Sequence, residues 1–205
     1  MNVEFHFDFG SPNAYLSHRA IPSIETRTGI KFNYIPVLIG GVFKATGNAS
    51  PAVTLQGIKN KIEYQGVEMK RFLKKHKITN YVNNPFFPVN TLQIMRGAVF
   101  AQTQNYFEKY VDEIYRHMWC EPKKMDEPEI IRAAFEESGL PSDAIFAGIQ
   151  NSTIKKALMD NTDRSVEMGA FGSPTFFVGS EMFFGKDKLT DTEDEIIKNN
   201  LRERP

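Results

Sequence analysis

The sequence holds a single cysteine, Cys120, directly after its single tryptophan, Trp119. One cysteine excludes an internal disulfide and a thiolate metal cluster. It ends an apolar helix pattern and reads as a buried structural thiol. Neither sign of charge is in excess: 25 Lys and Arg balance 25 Asp and Glu, without a long run of either. Nucleic-acid binding usually leaves a basic footprint, so no such partner is expected. No apolar run approaches the ~20 residues of a membrane span. The N-terminus enters a strand pattern directly, without the basic and apolar regions of a leader. A cytoplasmic protein with no membrane partner is the expectation. His6, His18, His76 and His117 are scattered without metal-ligand spacing, so no metal is expected.

What is present suits one sizeable core: 205 residues, of which 41% are hydrophobic. Val3, Phe5, Phe7 and Phe9 alternate with Glu4, His6 and Asp8, the period of a strand. After Gly10 the period lengthens, and Tyr15, Leu16, Ala20 and Ile24 define the apolar face of a helix. Ser11 and Pro12 stand at the junction. Ser as N-cap and Pro at the first helical position make a good helix start. The same place lets Ser11 face a ligand at the positive end of the helix.

Residues 31–38 suit a second strand ending near Pro36. Residues 52–77 carry Leu55, Ile58, Ile62, Met69, Phe72 and Leu73 at loose helical spacing, and 80–90 form a loop rich in Asn and Pro. Helices are predicted from near Thr91, with Asn90 as a candidate N-cap, and along the stripe Phe107, Tyr110, Val111, Ile114, Tyr115 and Met118. Asp126 with Glu129 has the spacing of a capping box ahead of the next helix, with Pro128 in its first turn. A short helix after Ser142 and a longer one over 152–168 follow. Residues 173–179 and 181–185 then read as a β-hairpin turning at Gly179 and Ser180, before a final helix over about 187–200. The order is β-α-β, a helical block, then β-β-α. It predicts a thioredoxin-like α/β fold, with residues 1–38 and 170–205 forming one domain and 39–169 an inserted helical domain.

Three segments carry a more specific signal: FDFGSP followed by YL two residues on, FPVNTLQIMR, and FGSPTFFVG with MFFGKDKL. In this order and spacing the chain resembles the 2-hydroxychromene-2-carboxylate isomerases and kappa-class glutathione transferases. These are DsbA-like thioredoxin folds with an inserted helical domain. The resemblance implies glutathione as cofactor. It places Ser11 where disulfide oxidoreductases carry their first cysteine, as the residue that holds the glutathione thiol. It makes Pro174 a cis-proline whose preceding residue, Ser173, offers backbone groups to the glutathione peptide. Asp187 corresponds to an acidic residue near the γ-glutamyl end. The family usually has Arg at position 188, where this chain has Lys188; many members have Ser or Asn where it has Lys186. A lysine keeps the charge but loses the bidentate fork.

The implied reaction is isomerisation of an unsaturated aromatic α-keto acid, with Ser11 as hydrogen-bond donor to a thiolate. A hydroxyl donor and the amides of a helix start both stabilise that anion against an ordinary thiol pKa of about 8.5. Lys44, Asn48 and Asn90 are candidates for binding the substrate carboxylate, and Phe86 for its ring. Lys44 suits a solvated surface charge better than a ligand, and Phe86 and Phe87 equally suit a loop pinned to the core. Relatives are often dimers, so a homodimer is expected. The alternatives are a kappa-type transferase that conjugates glutathione to an electrophile, and a non-catalytic glutathione-binding member. A disulfide oxidoreductase is excluded, since Ser11 and Ala14 stand in place of its cysteine pair.

Overall fold

The computed structural model describes residues 1–202, the side chain of Arg202 excepted. Strand β1 (Val3–Phe7), helix α1 (Pro12–Thr28) and strand β2 (Asn33–Pro36) make the first unit. Eight helices follow: α2 (Ile39–Thr46), α3 (Pro51–Thr54), α4 (Lys61–Lys75), α5 (Leu92–Gln102), α6 (Phe107–Trp119), α7 (Pro128–Glu137), α8 (Ser142–Gln150) and α9 (Ser152–Glu167). Strands β3 (Thr175–Val178) and β4 (Glu181–Phe184), a 3-10 turn at Lys186–Lys188 and helix α10 (Leu189–Arg202) complete the chain. The sheet order is β2-β1-β3-β4. β1 runs parallel to β2 and antiparallel to β3, and β3 pairs antiparallel with β4. This is the thioredoxin-like arrangement with an inserted helical region.

The alternation in β1 is real, but both of its faces are buried. Phe5 stacks on Phe176 at 5.3 Å between ring centroids and meets Tyr34 edge-on at 4.9 Å. Phe5 and Phe176 are fully buried, and each contributes roughly 2–3 kcal/mol. The opposite face holds Glu4 and His6, covered by α9. Glu4 accepts from Arg164 at 2.7 and 2.8 Å and faces His6 Nε2 at 2.8 Å, while His6 Nδ1 meets the Ser165 hydroxyl at 2.9 Å. A central strand carries polar residues inward only when each has a partner. Burial raises the Glu4 carboxyl pKa, but the hydrogen bonds from Arg164, His6 and Asn2 outweigh it and bring the value down to about 2. Burial pushes the His6 imidazole below its usual value, partly opposed by Glu4. The neutral ring therefore donates from Nε2 and accepts at Nδ1.

Three local expectations are corrected. The helix expected over 52–77 is two, α3 and α4, because Gly57 and Asn60 adopt left-handed backbone at φ +78° and +69° and break the run between them. Thr91, not Asn90, is the N-cap residue of α5, and the Asn90 side chain instead accepts from the amide of Leu92 at 3.1 Å. The Asp126–Glu129 capping box does not form. Glu127 is the N-cap without a side-chain bond, and Asp126 accepts a long bond from the amide of Asn90 at 3.4 Å. Pro128 does occupy the first turn of α7.

Candidate active site

Ser11 caps α1. Its backbone is extended, and its hydroxyl oxygen accepts from the amide of Ala14 at 3.2 Å. Pro12 follows, where a missing N–H costs the helix nothing. The amide of Asn13 is one of the donors that a helix start leaves without an intrahelical acceptor. The hydroxyl hydrogen of Ser11 is directed elsewhere, onto the main-chain carbonyl of Ser173 at 2.8 Å. The bond between Ser173 and Pro174 is cis. The Ser173 hydroxyl in turn accepts from the amide of Asp8 at 3.1 Å. The ends of β1 and the loop before β3 are thereby tied together at the start of α1.

Beneath Ser11 lies a group the sequence reading passed over as one polar member of an alternating strand. Asp8 is fully buried, and its carboxylate accepts from the amides of Gly10 and Ile39, each at 2.8 Å, and from the hydroxyl of Thr91 at 3.0 Å. Burial pushes its pKa above the ordinary carboxylate value, against these three donors. One side chain thus fixes the Gly10 turn, the start of α2 and the start of α5. Gly10 sits at a close approach: a Cβ would stand 3.1 Å from the Thr91 methyl and 3.2 Å from an Asp8 oxygen, so these neighbours would have to move to admit one. The signal available in the sequence was an aspartate between two phenylalanines, but its partners are 31 and 83 positions away.

The remaining predicted residues divide into three groups. Lys186 and Asp187 follow directly on Gly185, whose amide donates to the Pro174 carbonyl at 3.0 Å. Lys186 is buried, paired with Asp187 through its ammonium, which also lies 5.0 Å above the Phe72 ring. Asn48 reaches the same loop, its side-chain amide donating to the Phe171 carbonyl at 2.7 Å. Asn90 adjoins Thr91 and so lies beside the Asp8 cluster. Lys44 and Phe86 are exposed, and neither makes a hydrogen bond, ion pair or ring contact to the residues just described. Lys188 pairs with Asp191 on the surface at 2.7 Å. The cis bond, the helix start and the paired charges at Lys186 lie along one edge of the fold.

Cys120 is half-buried rather than buried, with its sulfur 3.1 Å from the Tyr15 hydroxyl. Among the described residues His117, Glu121 and Glu137 bring ligand atoms within 4.8 Å of one another. Arg116 already pairs with both carboxylates and Lys123 with Glu137, so the cluster is an ion-pair network. No helix among the described residues is long and apolar enough to cross a membrane.

Fold and site define a thioredoxin-like protein with a serine at the start of its first helix, bonded to the residue before a cis-proline. Residues 2–197 match the DSBA-like thioredoxin domain, and the chain belongs to that family. It is 26% identical over 200 residues to a 2-hydroxychromene-2-carboxylate isomerase of Sphingobium xenophagum, covering 95% of this chain and 97% of that protein. It is 25% identical over 215 residues to human glutathione S-transferase kappa 1, covering 98% and 91% of the two chains. Among solved structures, a 2-hydroxychromene-2-carboxylate isomerase superposes with a TM-score of 0.82 at 24% identity, covering 98% of this chain and 97% of that one. A probable DsbA oxidoreductase from Streptomyces coelicolor superposes at 0.73 and 16% identity, covering 100% and 92%.

Proposed function

We propose that this chain is a glutathione-dependent cis-trans isomerase of the 2-hydroxychromene-2-carboxylate type, acting on an unsaturated aromatic α-keto acid. The observation that carries the reading is the Ser11 hydroxyl at the start of α1, bonded to the carbonyl that precedes a cis-proline. Similarity to isomerases along the full length supports it. Glutathione, when bound, supplies a nucleophilic sulfur that adds to the substrate double bond, allows rotation and leaves unchanged.

The protein's part is to hold and ionise that thiol. Ser11 has one hydrogen to donate. Turning it from Ser173 to the sulfur frees the Ser173 carbonyl for a peptide N–H, so no bond is lost on binding. The hydroxyl and the first-turn amides together favour the anion by about one to two pKa units, each worth about 1.4 kcal/mol. Lys186 and Asp187 face the peptide's charged end. Asn48 and Asn90 line the rim as amide groups for a carboxylate, with Lys44 and Phe86 further out. The reaction takes place away from membranes in the cytoplasm, in a homodimer.

The second reading is a kappa-type transferase, favoured by the similarity to human glutathione S-transferase kappa 1. One incubation separates the two: 2-hydroxychromene-2-carboxylate with glutathione, followed by chromatography. Isomerised product with all glutathione recovered free supports the isomerase. A stable glutathione adduct supports the transferase, and an unchanged substrate with no adduct refutes the isomerase; a parallel incubation with 1-chloro-2,4-dinitrobenzene that yields no conjugate refutes the transferase.

A further inference from the structure

We propose that the protein carries a second ligand site, where α2, α5 and α9 meet, that takes a small monocyclic aromatic carboxylate with Arg96 as its charge partner. The inference goes beyond the glutathione reading and does not depend on it. A cavity of about 140 Å³ opens there, and none of Ser11, Ser173, Pro174 or Lys186 lines it. Leu92 and Arg96 line it from α5, one turn apart, and Leu158 and Met159 from α9. Leu38 and Gly41 close it at the start of α2. Gly41 lets α2 lie close to α9, since a Cβ there would stand 3.0 Å from the Thr162 methyl. The Thr162 hydroxyl, also in the lining, is already engaged: it accepts from the Leu38 amide and donates to the Leu158 carbonyl.

The cavity holds more positive charge than it can pair. Arg96 is half-buried, its Nε is shut off from solvent, and no group among the described residues accepts a hydrogen bond from that atom. Arg96 makes no ion pair among the described residues either. A buried N–H without a partner is costly, so the guanidinium calls for an acceptor from outside the chain. Lys155 adds a second cation, its ammonium held at 3.0 Å by the neutral side-chain oxygen of Gln150. The acid in the lining, Asp163, is exposed and bonded to neither cation. The other walls decide what accompanies the negative charge. Four apolar side chains with a few polar groups are the usual makeup of a small-molecule site, and a cavity of ~150 Å³ holds a benzene ring. The thioether of Met159 adapts readily to an aromatic edge. A carboxylate on that ring gives the Nε–H of Arg96 and its neighbouring N–H a bidentate partner.

The test titrates benzoate and its neutral isostere benzamide into glutathione-free protein, read from backbone amide shifts by NMR. Wild type should bind benzoate with a Kd of about 1 mM or below and prefer it to benzamide about tenfold, the value of one charge-assisted fork. The shifts should centre on Leu38, Leu92 and Met159. R96M, which keeps an unbranched apolar stem, should bind benzamide as wild type does and lose the preference, and R96K should retain part of it. M159E is the second variant, because Met159 is 63% exposed and its replacement leaves the core intact. The new carboxylate should weaken benzoate alone. N48A controls for a carboxylate held beside Ser11 and should bind benzoate as wild type does. The assignment is overturned by a wild type that shows no saturable benzoate binding, by an unchanged preference in R96M or M159E, by equal weakening of both ligands in M159E, or by loss of benzoate binding in N48A. None of these outcomes touches the glutathione reading, which the incubation above tests separately.

Discussion

The hydroxyl of Ser11 and the carbonyl of Ser173 lie 2.8 Å apart, joining positions 162 residues distant in the chain. The same hydroxyl oxygen accepts from Ala14, so a single atom caps a helix and fastens the cis-proline loop. A cap and a buried hydrogen bond are each worth about 1 kcal/mol. Ser11→Ala should therefore lower unfolding stability by about 2 kcal/mol in urea. If Ser11 also holds the glutathione sulfur, the variant should raise the bound thiol's pKa. Turnover at pH 7 should fall ten- to a hundredfold, about 1.4 to 2.7 kcal/mol in the barrier, and recover in part as pH rises. A less stable variant with unshifted thiol titration and normal turnover would reduce Ser11 to a cap.

Asp8→Asn tests the buried carboxylate. Three donors converge on its two oxygens, whereas an asparagine offers one acceptor and points an NH2 group at the rest. Stability should fall by about 2 kcal/mol or more, read from the urea midpoint at constant slope. A loss below half a kcal/mol would mean that the Gly10 turn and the starts of α2 and α5 stand without Asp8.

The buried Glu4–His6 pair makes acid sensitivity predictable. The folded Glu4 carboxyl titrates at about 2, below its ordinary value of 4.5, so its contribution is present above pH 4.5 and fades as pH falls toward 2. The shift corresponds to roughly 3 kcal/mol. Neutral, buried His6 acts in the same sense, since the unfolded ring takes up a proton at a higher pH than the folded one. Asp8 acts oppositely, its raised pKa making the folded state the better proton acceptor. Comparing wild type with Glu4→Gln at each pH cancels the Asp8 contribution. The variant should be less stable at pH 7, with the gap closing between pH 4.5 and 2; a constant gap would exclude a role for Glu4 ionisation.

Cys120→Ser should leave turnover within a few-fold of wild type and change stability by less than about 1 kcal/mol. The sulfur touches Tyr15, and a serine hydroxyl can meet the same phenol. Loss of activity in a folded Cys120→Ser protein would place the chemistry elsewhere.

What the sequence determined by itself is local. The alternation of Val3, Phe5, Phe7 and Phe9 marks a strand because side chains leave it with a period of two. Ser11 and Pro12 mark a helix start because a cap acts within three residues. The hairpin around Gly179, where φ is +61°, followed from the same kind of short-range chemistry. Local pattern failed where two local solutions were nearly equal in energy. Asn90 and Thr91 both suit a helix start, and the bond from Thr91 to Asp8 settled the choice. Only the tertiary structure decided that Asp8 is buried under Ser11, that Lys186 lies against Phe72, and that α4 faces Asp187 across a cavity. None of these leaves a periodic trace, because a buried polar group is satisfied by whatever donors the folded chain brings within 3 Å, at any separation in sequence.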